Sequence, residues 1–484
     1  MKKTMFQYFE WYLPNDGALW RQARRDAKKI ANAGFTDIWL PPAYKGSAGK
    51  SDVGYGVYDL YDLGEFRQKG SISTKYGTKK QYLLAVQALR KAGLTVLADI
   101  VFNHRMGADQ KETIEAESVS FDNRNQVVEP LHEVEVWTRY TFPGRKGTYS
   151  PFVWDWTCFT GTDYDQKAGK RDLLLFKDKH WNNNVSMEQG NFDYIMGDDV
   201  DFSSPAVKQE LTNWGKWYLE TVPVDGFRLD AVKSIDSSFF APWLQEMRSH
   251  RKEEVPAVGE YWSGDVNELL RYLDAAENSM MLFDVPLHFR LQHISNDPDH
   301  FDLRQVFDGT LAAARPDEAA VFVDNHDTQP GQALYSWVSG WFKPLAYALI
   351  LLRQCKMPVI FYGDWYGIPS AHLQPVRGLR EMLWIRSRLL SDWISPELSN
   401  DWQMSAWNSV SDHPVFVVMS SGAEKYQVFE YLDMKGRTFV DVMNPCNHVT
   451  IGADGRAEFT TPARSVSVYI LEEDYRRMRK ELRL

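Results

Sequence analysis

From Thr4 onward, short apolar runs alternate with segments of helical spacing, and about eight such runs pass before the pattern changes. They are MFQYFEW near residue 8, TDIWLPP near 39, LTVLADIVF near 98, VDGFRLD near 227, PAVGEYW near 259, MMLFDVP near 283, AAVFVDN near 322 and MPVIFYG near 360. Helical segments such as residues 79–92, 205–220, 238–249 and 343–355 separate most of them. A strand reaches a parallel neighbour only through a crossover, so this alternation builds a parallel sheet. Eight strands, each ending in polar or charged residues, predict an α/β fold, a (β/α)8 TIM barrel with its site at the C-terminal face. An open doubly wound sheet is the alternative, but no glycine-rich dinucleotide loop follows the first run.

Two stretches break the alternation. Residues 105–204 are rich in Asp, Asn, Gly and aromatics and are too long for an ordinary connection, so they read as a domain inserted after the third strand. Beyond residue 395 the runs shorten and alternate (PVFVVMSS, YQVFEYLD, TFVDVMN, AEFTTP, SVSVYIL) between hairpin-spaced turn residues, predicting a C-terminal all-β sandwich domain over 395–484. The barrel then comprises residues 1–104 and 205–394. The terminal EEDYRRMRKELRL reads as a charged helical tail with a solvated face.

With 55 Lys plus Arg against 65 Asp plus Glu, the chain lacks the basic excess that phosphate backbones demand, so no nucleic-acid partner is expected. Three scattered cysteines, Cys158, Cys355 and Cys446, argue against a disulfide framework. The longest apolar run, residues 345–352, is far short of the roughly 18 residues that span a bilayer, so no membrane association is expected. The start MKKTMFQYFEWYLP has Glu10 and Pro14 where a secretory signal needs an unbroken apolar stretch, which predicts a cytoplasmic protein. Aromatic residues make up 14% of the chain, and rings that stack on flat apolar faces are one use for them.

In VDGFRLDAVK, strand alternation puts Gly226, Arg228 and Asp230 on one face and Phe227 and Leu229 on the other, so an arginine and a carboxylate point together into the barrel mouth. Alone, that pair also reads as an internal salt bridge. Glu260 ends the next apolar run, and FVDNHDT delivers Asp324, His326 and Asp327 after a further one. Like charges gathered on one rim are costly without a purpose. Glycoside hydrolysis supplies one: it needs a protonated carboxyl for the leaving oxygen and an ionised one for the sugar carbon. Arg228 would keep Asp230 ionised, and Glu260, beside apolar Trp262 and negative neighbours, would hold its proton.

Four blocks, DIVFNH (99–104), GFRLDAVK (226–233), VGEYW (258–262) and FVDNHD (322–327), resemble in order and spacing those of the α-amylases of glycoside hydrolase family 13. The resemblance covers almost the whole chain. It implies endo-acting, retaining hydrolysis of internal α-1,4-glucosidic bonds in starch-like or glycogen-like glucans and maltooligosaccharides. Asp230 would be the nucleophile, Glu260 the general acid/base and Asp327 the carboxylate that orients the distorted sugar, with Arg228, His104 and His326 binding at the cleavage subsite. GYGVYDLYDLGEF (54–66), QYFEWY (7–12) and FDVPLHF (283–289) resemble the bacterial liquefying and cytoplasmic members. That likeness implies Tyr55 as a ring stacking on glucose, and Tyr12, Tyr58, Asp59, Lys233, Tyr261 and Trp262 as pocket members.

Asn103, Asp193 and Asp199 match the family's calcium site in the inserted domain, with the backbone carbonyl of Ser234 as a further ligand, so Ca2+ is the implied cofactor. Secreted relatives have a second calcium and sodium cluster where this chain offers Asn182 and Ser203 beside Asp201, and that cluster is not expected here. A family-13 transglycosylase (glucanotransferase) is the alternative activity, and a non-catalytic glucan-binding protein the alternative class. A monomer is expected.

Overall fold

The computed structural model describes residues 2–353 and 355–483. Eight parallel strands close into a barrel: β1 (Met5–Gln7), β2 (Asp37–Leu40), β3 (Thr95–Ile100), β4 (Gly226–Leu229), β5 (Ala257–Gly259), β6 (Met281–Phe283), β7 (Ala319–Phe322) and β8 (Met357–Phe361), with β8 pairing back onto β1. Each falls within one of the eight apolar runs. Helices Lys79–Lys91, Pro205–Thr221, Phe240–Arg251 and Lys343–Leu352 occupy the segments of helical spacing. In the last, every residue from Leu345 to Leu352 is buried, which suits a stretch that is apolar on every side. No helix among the described residues is long and apolar enough to cross a membrane.

The β3–β4 register pairs Arg228 with Asp99 and so brings a cation and an anion side by side on the inward face. At the base of β4, Gly226 has no substitute: a Cβ there would lie 2.0 Å from the carbonyl oxygen of Pro256. Between β3 and Pro205–Thr221 the chain forms a six-stranded sheet whose strand His104–Arg105 pairs with Asp198–Val200. That pairing ties the sheet directly to the end of β3.

After the barrel, five strands form one sheet and Lys425–Glu430 pairs with Arg456–Thr461 in a separate two-stranded ladder. Alternation sorts the residues. Val417, Met419, Val466, Val468 and Ile470 pack into the barrel's core, whereas Phe416, Val418, Tyr469 and Leu471 pack with Phe429 and Phe459 of the ladder. The terminal helix Glu472–Leu482 departs from the solvated reading: Met478 is fully buried, and the Trp384 indole N–H donates to Glu481 at 2.8 Å.

Candidate active site

Arg228 sits in the barrel mouth with its side chain fully buried, and three carboxylates converge on its guanidinium. Nη1 donates to Asp99 at 2.9 Å and to Asp230 at 2.7 Å. Nη2 lies 2.7 Å from Glu260 Oε2 but off the hydrogen-bonding direction, so that contact is electrostatic. Tyr55 Oη (2.8 Å) and the Trp39 indole (2.9 Å) also donate to Asp99. One cation therefore serves three anions. Burial consequently outweighs Arg228 at Asp230, pushing its pKa up to about 6, higher than a dedicated arginine would leave it. Burial also raises Glu260, against Arg228, and the neighbouring charge of Asp230 adds to the rise.

Directly after Asp230 the backbone turns sharply. Ala231 has φ 48° and ψ 40°, a left-handed conformation that costs a residue with a Cβ on the order of 1–3 kcal/mol. The turn aims the Ala231 N–H at Glu260 Oε2, 3.3 Å away.

Asp327 reaches the same cluster from the turn after β7, where Asn325 Oδ1 accepts the N–H groups of Asp327 and Thr328. Burial, then the charges of Glu260 and Asp230, raise its pKa well above the usual carboxylate range. His326 Nε2 lies 3.3 Å from Asp327 Oδ2, and the Gln7 amide meets His326 Nδ1 at 3.0 Å. Burial holds His326 neutral, with Arg228 adding to the effect. His104 is likewise kept neutral by burial, and its Nε2 meets the Tyr55 carbonyl at 2.7 Å. Tyr55 lies against His326, ring centroids 5.1 Å apart and nearly parallel.

The remaining sequence candidates divide. Lys233 bridges Glu188 (2.7 Å) and the Trp262 carbonyl (2.9 Å), placing both on the wall beside Glu260. Tyr261 follows Glu260 on that wall. Exposed Tyr12 joins the rim through the Pro330 carbonyl (3.1 Å) and Gln332 (3.0 Å). Tyr58 and Asp59 are not brought to the cluster. Tyr58 donates to Asp109 at 2.7 Å, and Asp59 is fully buried in an ion pair with Arg145 at 2.9 Å, so both are committed to holding the inserted segment.

Four residues that sequence reasoning assigned no role complete the mouth. They are Asp99, Gln7, Trp11, whose ring stacks 5.9 Å from Tyr55, and Gln329, which accepts the Trp11 N–H at 3.1 Å and donates to Glu10 at 3.0 Å. Asp99 lies inside DIVFNH, and Gln7 and Trp11 inside QYFEWY, whereas Gln329 lies outside every matched block.

Asn103, Asp193, Asp199 and Ser234 are all buried. Strand pairing sets Asp199 opposite His104, one residue from Asn103. Asn103 Oδ1 and Asp199 Oδ2 have no hydrogen-bond partner, although buried oxygens normally find one. Burial, then the charge of Asp193, pushes Asp199 well above the carboxylate range, and burial, with the charge of Asp201 adding to it, pushes Asp193 up to about 7. Orphaned oxygens beside two crowded carboxylates fit a hard divalent cation. Asp201 differs: Lys179 and Ser203 hydrogen-bond to it, so a built-in cation already meets its charge. A further group, Glu129, His132 and Asp172, lies at the surface, where Lys170 stands 2.9 Å from Asp172.

The description "Alpha amylase, catalytic domain" matches residues 28–408. The chain belongs to the α-amylase family. It is 44% identical to an α-amylase of Geobacillus stearothermophilus over 96% of its own length and 86% of the relative's. It is 41% identical to the cytoplasmic α-amylase of Escherichia coli K12 over 97% of its own length and 99% of the relative's. Among solved structures, the Geobacillus thermoleovorans α-amylase complexed with acarbose aligns with a TM-score of 0.63 at 19% identity, covering 97% of this chain and 98% of that one. That last likeness is one of fold. As a family member the chain is a glycoside hydrolase that acts on internal α-1,4-glucosidic bonds of glucans.

Proposed function

We propose that the chain hydrolyses starch-like and glycogen-like glucans with retention of configuration, using Asp230 as nucleophile and Glu260 as acid/base. The observation that carries this reading is the single guanidinium of Arg228 shared by both carboxylates, which holds them at short range. A pair spread to admit a water between would suit inversion instead. Glu260 delivers its proton to the glycosidic oxygen as Asp230 attacks the anomeric carbon. The bond from that carbon to the leaving oxygen breaks, and a glycosyl ester forms. Glu260, now ionised, takes a proton from water, whose oxygen displaces Asp230 and restores the α configuration. Asp327 and neutral His326 and His104 hydrogen-bond the sugar hydroxyls and favour its distorted form, while Tyr55 stacks on its face.

Hydrolysis is favoured over glucanotransfer by the names of the relatives at 40–44% identity, three of which are α-amylases. Cytoplasmic placement follows the Escherichia coli relative, and a monomer suffices because one chain supplies every group used above. The test is reducing-sugar release and viscosity loss on soluble starch by the purified chain and by Asp230→Asn, with maltotetraose products sized alongside. Starch cleavage that the substitution abolishes supports the reading. Products longer than maltotetraose as the main outcome would replace it with glucanotransfer.

Calcium would be held by Asn103, Asp193, Asp199 and the Ser234 carbonyl, where it supplies positive charge to crowded carboxylates and clamps the inserted sheet to the barrel. A ligand that binds only the folded state at a hundredfold its Kd stabilises by about 2.7 kcal/mol. Chelation is therefore expected to lower the unfolding temperature and calcium to restore it, with Asp199→Asn losing most of that response. An undiminished calcium response in Asp199→Asn would exclude this site.

A further inference from the structure

Behind the wall formed by Lys233 and Tyr261 lies a cavity of about 230 Å³ that the mechanism does not use. Its walls come from the loop of Asn184 and Ser186, from Ser237, and from the helix Val266–Ala275, which contributes Glu268, Arg271, Tyr272 and Ala275. Drug-sized ligands occupy pockets of about 300–1,000 Å³, so this one suits a single small ring.

Its chemistry is that of a neutral polyol. Tyr261 and Tyr272, ring centroids 5.3 Å apart, offer apolar faces. Glu268 and Arg271 stand three residues apart on one helix, yet neither forms an ion pair among the described residues, which leaves an acceptor and a donor fork beside the cavity. Their charges cancel, so an ionic ligand gains nothing net from them. Tyr272 is 5% exposed, and its hydroxyl is buried with no hydrogen-bond partner, a group that in a finished interior would be satisfied. The cavity also adjoins the chemistry. Tyr261 follows Glu260 in the chain, the Val232 N–H donates to the Glu260 carbonyl at 2.9 Å, and Ser186 N–H donates to the Lys233 carbonyl at 3.0 Å.

We propose that this cavity is a side pocket for one glucosyl unit, separate from the cleft that holds the scissile chain. The pocket rests on the α-glucan reading above for the identity of its sugar. That unit has two sources of the same chemistry: a branch on the bound glucan, or a free glucose or maltose product.

The experiment compares the full-length chain with Arg271→Ala, Tyr272→Phe and Ala275→Trp, the last filling the cavity. Rates are measured on linear maltoheptaose and on a branched limit dextrin, with inhibition by glucose and maltose. Linear cleavage is expected to stay unchanged. Loss of one hydrogen bond should cost about fivefold. A fall of that size in the branched-to-linear ratio identifies the branch, and a rise of that size in the inhibition constants identifies the free sugar. Tyr272→Phe should lose sugar response with its unfolding temperature unchanged or raised, since it removes an unsatisfied hydroxyl; a purely structural hydroxyl would lower it. If neither ratio nor inhibition moves in Arg271→Ala and Ala275→Trp, the pocket is overturned while linear cleavage still supports the proposed function. If the wild type cleaves no linear chain, that function fails. Calorimetric titration with maltose then decides the pocket alone, through binding present in the wild type and lost in Ala275→Trp.

Discussion

Glu260→Gln is expected to lower kcat/KM on maltooligosaccharides by about 10²–10⁴-fold, the usual worth of a positioned proton donor, while α-maltosyl fluoride is cleaved at close to the wild-type rate of glycosyl transfer to Asp230. Fluoride leaves without a proton, so its departure does not need Glu260. The second step does, because water must still be activated, and the glycosyl ester is expected to accumulate and appear by mass spectrometry on Asp230. The pH profile follows from the same pair. Burial puts Asp230 at about 6, so activity falls as acid protonates the nucleophile below that value. Burial and the neighbouring Asp230 raise Glu260, so the alkaline limb marks the loss of its proton. The two limbs belong to the coupled pair. With the fluoride the alkaline limb of the first step should disappear. Equal losses on fluoride and maltooligosaccharide would remove Glu260 from the acid's role.

The barrel was readable because its signal is local: each strand is a short apolar run, and the period changes visibly to helical spacing between runs. The carboxylates were readable for a similar reason, since they end those runs within compact blocks. What lay outside local signal was missed. Gln7 meets His326 across 319 positions, and Trp11 meets Gln329 across 318, contacts that only barrel closure creates. Tyr58 and Asp59 show the converse error. They share a block with Tyr55, but the inserted segment supplies their partners, Asp109 for Tyr58 and Arg145 for Asp59. The buried side of the terminal helix could have been found, because Tyr475, Met478 and Leu482 recur at helical spacing and all pack against the main core. The charge of that segment hid its apolar stripe.

Arg228→Leu is expected to be among the most destabilising single substitutions in the chain. Asp99, Asp230 and Glu260 would stay in the barrel mouth with no cation among them, and breaking a buried ion pair from one side costs about 3–5 kcal/mol. The pH dependence carries the signature. Burial already raises all three carboxyls, and removing Arg228 removes the charge that pulls them back down. A folded pKa above the unfolded value means that the native state binds more protons, so the variant's stability should fall as pH rises from the unfolded carboxylate range through the raised folded values. Urea unfolding in mild acid and mild alkali should therefore show a larger deficit in alkali. Arg228→Lys should recover part of the stability and little of the activity. One ammonium restores the charge but cannot set Asp230 and Glu260 on two adjacent nitrogens of a rigid fork, so the spacing between nucleophile and acid is lost. If Arg228→Lys keeps full activity, the guanidinium acts through charge alone and the spacing is set elsewhere. If Arg228→Leu unfolds like the wild type at every pH, the three carboxylates do not depend on Arg228 for their counter-charge.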